Sequence, residues 1–205
     1  MTNPPRLTDR KREAILQAAI AEFRASGYEA TSMDKIAATA DVSKRTVYNH
    51  FPSKDDLFAA ILQQLWESSA AMSELSYSAA RPLREQLLEL MQQKMRMMSD
   101  AHFMDLARVA IAAAIHSPER AVEMLSRIGK REEGVTVWIR AAQADGKLKP
   151  ADPEFAAMLL QGQLKTFAFW PQIAMGQGPL AEDRQAAVVS TIVDMFLAYF
   201  QTEAN

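Results

Sequence analysis

The sequence predicts an all-α protein, and three observations carry that reading. Apolar residues recur at three- and four-residue spacing along most of the chain. The seven glycines and nine prolines fall mainly between the periodic stretches. No stretch alternates β-branched and polar residues with a period of two, so strands are not expected. Apolar residues make up 49% of the 205, enough to bury a sizeable core.

The first helix is expected from about Thr8 to Ser26. Thr8 or Asp9 caps it, Asp9 and Glu13 suit its positive end, and Gly27 ends it in a left-handed conformation. Ile15, Leu16, Ala19 and Phe23 form its apolar stripe. A second helix follows Ser32 and carries Met33, Ile36, Ala37 and Ala40. After a turn at Asp41-Val42, Ser43 caps a third, very short helix, S-K-R-T-V-Y-N-H-F, which Pro52 stops. Ser53 caps a fourth, with Asp55 and Asp56 in its first turn and Leu57, Phe58, Ile61, Leu62 and Leu65 at helical spacing. Longer helices are expected near 82–98, 102–115, 118–144, 152–175 and 181–202, with Pro171 kinking or shortening the fourth of these.

Composition narrows the function classes. The absence of cysteine excludes disulfides, thiolate zinc sites and cysteine nucleophiles. No apolar run approaches the ~18 residues of a membrane span, and the polar N-terminus is no signal peptide, so a soluble cytoplasmic protein is expected. There is no glycine-rich phosphate loop, no H-E-x-x-H and no Cys/His cluster, and no catalytic residue, metal or cofactor is assigned. His102 and His116 are isolated and read as structural. The net charge of −2 hides an asymmetry: residues 1–54 hold nine Lys/Arg against six Asp/Glu, while the remainder is acidic. A basic first quarter points to an anionic partner there.

Two short helices joined by a tight turn, behind a longer helix, form a helix-turn-helix unit. Small Ala37 stands where the two helices approach closely, the turn follows four residues later, and Val42 and Val47 point inward to meet Ile36 and Ala40. In such a unit the second helix enters the major groove. The stretch from Ser43 to Phe51 has the division this needs, donors on one side and Val47 and Phe51 on the other.

From Ile15 to Leu57 the chain resembles the DNA-binding domain of TetR/AcrR-type transcription regulators. The resemblance rests on I-L-Q-A-A-I-A-E-F (15–23), G-Y-E-A-T-S-M-D-K-I-A (27–37), A-D-V-S-K-R-T-V-Y-N-H-F (40–51) and S-K-D-D-L (53–57), about forty residues that are specific in combination. The segment L-K-T-F-A-F-W-P-Q (164–172) is similar to C-terminal domains of the AefR-like branch. The resemblance implies an N-terminal three-helix DNA-binding domain, residues 1–54, and a larger helical domain, residues 55–205, that binds small molecules and dimerises. Two positions depart from the family pattern. Asp41 stands where glycine is common, in a turn that needs positive φ, and aspartate tolerates that region. Arg45 also stands where glycine is frequent and brings a long cation to the groove.

Roles follow from side-chain chemistry and the resemblance together. Lys44 and Arg45 are expected at base edges or nearby phosphates. Thr46, Tyr48 and His50 match family positions that hold the phosphate backbone, and Asn49 and Ser43 complete the helix's contact set. Thr31 and Ser32 are expected to donate to phosphate at the start of the second helix, and Lys54 at the start of the fourth. Arg6, Arg10, Lys11 and Arg12 form an expected arm along the DNA. For a small hydrophobic ligand the candidates are Met91, Met95, Met98, Phe103, Met104, Trp138, Met158, Phe167 and Phe169, because methionine adapts to varied apolar shapes. A stripe of this kind is also what a helical core requires.

The last helix carries Val189, Ile192, Val193, Phe196, Leu197 and Phe200, with Ala186 and Met195 nearby, a wider apolar surface than a lone terminal helix needs. With the helix near 152–170 it is expected to form a four-helix homodimer interface. The function expected is a non-enzymatic repressor released from a palindromic double-stranded DNA operator by that ligand. The alternatives are an all-helical enzyme and a helix-turn-helix protein acting only through protein contacts.

Overall fold

The computed structural model describes residues 7–71, 76–119, 122 and 134–202. Among these there are ten helices and no strand: α1 (Leu7–Ala30), α2 (Met33–Thr39), α3 (Lys44–His50), α4 (Lys54–Ala71), α5 (Leu83–Ser99), α6 (Ala101–His116), α7 (Gly134–Ala144), α8 (Pro153–Ala168), α9 (Trp170–Ala174) and α10 (Glu182–Phe200). One isolated antiparallel bridge joins Leu148 and Gln201. The expected helix over 118–144 is present from Gly134 to Ala144, and most of its first half lies outside the described residues. The helix expected over 152–175 is two: α8 ends at Ala168, and α9 restarts with Pro171 in its first turn, where a missing N–H leaves no bond unmade.

The chain divides into two compact units, Met1–Trp66 with Asp105–Gly129, and Glu67–Met104 with Lys130–Asn205. The first unit extends past the boundary expected at residue 54. The reason is packing: Leu57, Phe58, Ile61 and Leu62 of α4, and Leu106 and Val109 of α6, share one buried core with α1, α2 and α3. Ile15, Leu16, Ala19 and Phe23 of α1 fill that core with Met33, Ile36, Ala37, Val47 and Phe51.

Local chemistry sets each joint of this unit. Gly27 lies at φ 80° and ψ 165°, breaking the regular path of α1 where the sequence placed its stop. The α2–α3 turn closes with two backbone bonds, Asp41 N–H to the Ala38 carbonyl at 3.2 Å and Val42 N–H to the Ala37 carbonyl at 3.1 Å. This is the Schellman pattern, in which the residue after the cap must turn left-handed. Asp41 does so, at φ 52°, the one non-glycine residue with positive φ among those described. The Ser43 hydroxyl then accepts from Thr46 N–H at 3.1 Å and starts α3, and the Ser53 hydroxyl accepts from Asp56 N–H at 3.1 Å and starts α4.

The second unit is built on α5, α7, α8 and α10. Leu87, Leu90, Met91, Met95 and Met98 meet Trp138 and Ile139, Leu160 and Leu164, and Val193, Phe196 and Phe200 in one core. Buried Gln86 satisfies both ends of its amide. Its nitrogen donates to the carbonyls of Ser78 and Arg81, each at 2.9 Å, and its oxygen accepts from Ser78 N–H at 2.8 Å and the Trp138 indole at 3.3 Å. On the surface Arg84 grips Asp194 through two nitrogens, at 2.7 and 3.1 Å, tying α5 to α10. The same Schellman closure ends α7, here through Gly146 at φ 71°.

The turn at Asp41 yields a direct expectation. Asp41→Gly raises stability in a urea melt followed by circular dichroism. Asp41→Val lowers it by about 1–2 kcal/mol, the penalty for forcing a branched side chain into left-handed backbone.

Candidate nucleic-acid interface

On α3 the inward side is Val47, fully buried, with Phe51 closing the helix from below. Ser43, Lys44, Arg45, Tyr48 and Asn49 are exposed, and Thr46 and His50 are half-buried. The structure therefore brings seven of the ten expected DNA contacts together on one short helix. The Thr46 hydroxyl lies 2.8 Å from that of Ser43, so this pair is partly engaged in the cap. The His50 ring lies against Phe51, centroids 6.5 Å apart. Ser32 is exposed and caps α2 by accepting from Lys35 N–H at 3.2 Å, beside the first amides of that helix.

The two cations at the start of α3 differ. Arg45 is exposed and makes no ion pair with any described residue. Lys44 is paired: its Nζ lies 2.8 and 3.0 Å from the two carboxylate oxygens of Asp34, on the first turn of α2, and 6.0 Å from the Tyr48 ring centroid. The hydrogen-bonded Asp34 carboxylate holds the Lys44 pKa above that of an ordinary lysine. Asp34 was not among the expected site residues. Its only sequence signal is an acid in the first turn of a helix, which the helix dipole alone explains.

Two expected phosphate contacts are corrected. Thr31 is 2% exposed, and its hydroxyl donates inward to the Gly27 carbonyl at 2.8 Å and toward that of Glu22 at 3.2 Å. It stitches the chain across the break at Gly27. Lys54 likewise turns inward. Its ammonium has three protons and meets three carbonyls, those of Tyr28, Thr31 and Glu29, at 2.7, 3.1 and 3.2 Å. The same ammonium sits 4.4 Å from the Tyr28 ring centroid, and the Tyr28 hydroxyl donates to Asp55. Lys54 thus caps the end of α1 from the start of α4.

The expected basic arm is also different. Arg10, Lys11 and Arg12 are exposed but belong to α1, and the Arg12 guanidinium stacks over Phe51 at 5.1 Å; Arg6 lies outside the described residues. Lys35 is held by Glu22 at 2.6 Å and Ser26 at 3.0 Å. Lys35 and the Thr39 hydroxyl hold the Glu22 carboxyl below the usual carboxylate range.

The nine ligand candidates in the second unit do not line one space. Met91, Met95, Met98 and Trp138 are packed into the core, Phe103 and Met104 are also buried, and Phe169 is half-buried against it. Met158 is 73% and Phe167 46% exposed, on the outer side of α8. The helical stripe expected to line a pocket serves the core in its inward members and the surface in these two.

A short, cation-bearing helix held outward behind a left-handed turn defines a helix-turn-helix DNA-binding protein. Comparison with known proteins agrees. Residues 15–61 match the bacterial regulatory proteins of the tetR family, and residues 85–202 match the C-terminal domain of AefR-like transcriptional repressors. A crystal structure of a TetR family transcriptional regulator from Pseudomonas syringae pv. tomato is 53% identical with a TM-score of 0.86, over 97% of this chain and 100% of that one. The transcriptional regulator YhgD of Bacillus subtilis is 31% identical over 163 residues, 74% of this chain and 78% of YhgD. The structure of the flavonoid-responsive regulator FrrA is 27% identical with a TM-score of 0.70, over 95% and 99% of the two chains. The chain belongs to the TetR family of transcriptional regulators, which are not enzymes. No helix among the described residues is long and apolar enough to cross a membrane.

The inward role of Lys54 is measurable. Lys54→Met, which keeps the stem and removes the charge, lowers stability by about 2 kcal/mol in chemical denaturation. It leaves the salt dependence of DNA binding unchanged, whereas a phosphate contact would lower the slope.

Proposed function

We propose that this regulator is a repressor that binds a palindromic operator as a homodimer and leaves it when a small apolar molecule binds the second unit. The observation that carries the DNA reading is the outer face of α3, where Lys44, Arg45, Tyr48 and Asn49 project from a helix anchored by Val47. In a dimer the two copies of α3 must stand about one DNA turn apart, ~34 Å, to enter successive major grooves. Arginine at a groove-facing position reads guanine through two parallel hydrogen bonds. Arg45, exposed and without an ion pair among the described residues, is the candidate to do so.

The homodimer is supported by the outer face of α8 and α10. Phe155, Met158, Leu159, Met195 and Tyr199 are all more than two-fifths exposed there. A groove of about 250 Å³ between the two helices is lined by Leu159, Leu160, Gln163, Met195, Phe196, Tyr199 and Phe200. A contiguous apolar face of this kind marks an interaction site. Packing it on its symmetry mate gives a four-helix interface.

The ligand reading is supported by the methionines of α5, which can repack around a guest, and by the flavonoid response of the relative FrrA. An inducer must prefer the state that cannot dock on DNA, since equal affinity for both states moves nothing.

Operator selection followed by gel-shift titration tests the DNA assignment. Replacing Lys44 and Tyr48 together by Ala abolishes operator binding with the dimer intact. Arg45→Ala weakens it by about 1–3 kcal/mol and relaxes preference at one base per half-site. For the interface, Met158→Asp with Met195→Asp weakens the dimer about 30-fold or more by sedimentation, roughly the 2 kcal/mol of a buried anchor. A wild-type monomer at micromolar concentration overturns the dimer.

A further inference from the structure

Lys44 and Asp34 form an ion pair on the face that α3 turns outward, so a cation of the proposed DNA-reading surface is already engaged within the protein. The ammonium sits within hydrogen-bond distance of both carboxylate oxygens, at 2.8 and 3.0 Å, and both side chains remain about three-fifths exposed. Asp34 comes from α2 and Lys44 from α3, so the helix crossing built on Asp41 brings them together. Non-specific binding counts cations, because each phosphate neutralised releases counterions whatever the sequence. A lysine already neutralised by a carboxylate releases none. Its neighbour Arg45 has no such partner among the described residues and contributes in full.

We infer that Asp34 is a specificity-positioning residue: it holds Lys44 out of contact with random DNA and yields it only where an operator places a partner within direct reach. The inference rests on the DNA-binding reading above. In a loosely docked, water-separated complex no phosphate or base edge approaches as closely as the Asp34 oxygens, and the pair persists. At the operator the base contacts of α3 fix the register, a phosphate or base edge comes within hydrogen-bond distance of Lys44, and the ammonium changes partner. An exposed pair is a weak restraint, so the exchange is easy once the register is right. Asp34 thereby subtracts one cation per protomer from binding at every wrong site and leaves it available at the right one.

The test is a double-mutant cycle on the full-length protein, titrating a random 30-base-pair duplex and the selected operator across 50–200 mM salt. Asp34→Asn tightens random-duplex binding about tenfold per dimer and steepens its log–log salt slope by about two, the increment of two freed cations. It changes operator affinity less, so the ratio of operator to random binding falls. Lys44→Ala alone weakens the operator complex, and the Asp34 carboxylate it leaves unpaired weakens the random complex as well, without flattening its slope, because no engaged cation has been lost. In the Lys44→Ala background Asp34→Asn recovers only the loss caused by that bare carboxylate and leaves the salt slope unchanged, because there is no cation to free. Asp34→Ser, which suits the start of a helix, reproduces Asp34→Asn and guards against a folding artefact, with thermal melts confirming both. Unchanged random-duplex binding in Asp34→Asn overturns the inference. So does an equal steepening of the slope with and without Lys44, which would mean that the freed cation is not Lys44. A wild-type protein that binds neither duplex overturns the DNA reading itself, an outcome distinct from either.

Discussion

Everything α3 offers to an outside partner depends on one reversal of the backbone, at Asp41. Two hydrogen bonds, from Asp41 and Val42 back to Ala38 and Ala37, fix the angle at which α2 hands the chain to α3. With that angle set, Ala37 is small enough for the two helices to approach, Val47 reaches the core, and Ser43 stands where it can cap. Seven residues are too few for a stable helix in isolation, because nucleation is unfavourable and few bonds follow it. The helix exists because its first turn is capped, its middle is buried, and its last residue runs into an extended Phe51 before Pro52.

The same economy explains how the cations of the first unit are divided. Lys54 and Lys35 fasten helices to one another, one on three carbonyls and the other on Glu22 and Ser26. Arg12 leans on Phe51, and Lys44 is shared with Asp34. Only part of the positive charge counted along residues 1–54 is therefore ready for an anionic partner. Arg45, at the start of α3, belongs to the part that is ready, with Arg10 and Lys11 exposed on α1. A count of basic residues overstates the electrostatic footprint, and their hydrogen-bond partners correct it.

What could be read from the sequence follows from how far each residue's partner lies along the chain. Ser32, Ser43 and Ser53 act on amides three residues ahead, so their caps were legible, as were the left-handed positions at Gly27 and Asp41. The stripes of α1, α2 and α4 were legible because a buried face repeats with the helix period. Thr31 was misassigned although its Gly27 partner lies only four residues back, because burial turns its hydroxyl inward and spacing does not reveal burial; Lys54 was misassigned because its partners, 23 to 26 residues back, are brought near only by folding. Asp34 was missed for the same reason. The methionine and phenylalanine stripe had the right period for two destinations, and nothing in the period separates a side chain packed at the centre, such as Met91, from one left outside, such as Met158.

The left-handed turn also bears on how this surface can change over generations. Glycine, aspartate and asparagine are the residues that hold such a backbone readily. In the genetic code the two aspartate codons lie a single base change from glycine and a single base change from asparagine. Position 41 can therefore drift among all three without passing through a residue that distorts the turn. The neighbouring groove-facing positions have no such backbone restriction. The scaffold that aims α3 is thus buffered against mutation at its most demanding point, while the side chains that choose the DNA stay free to diversify.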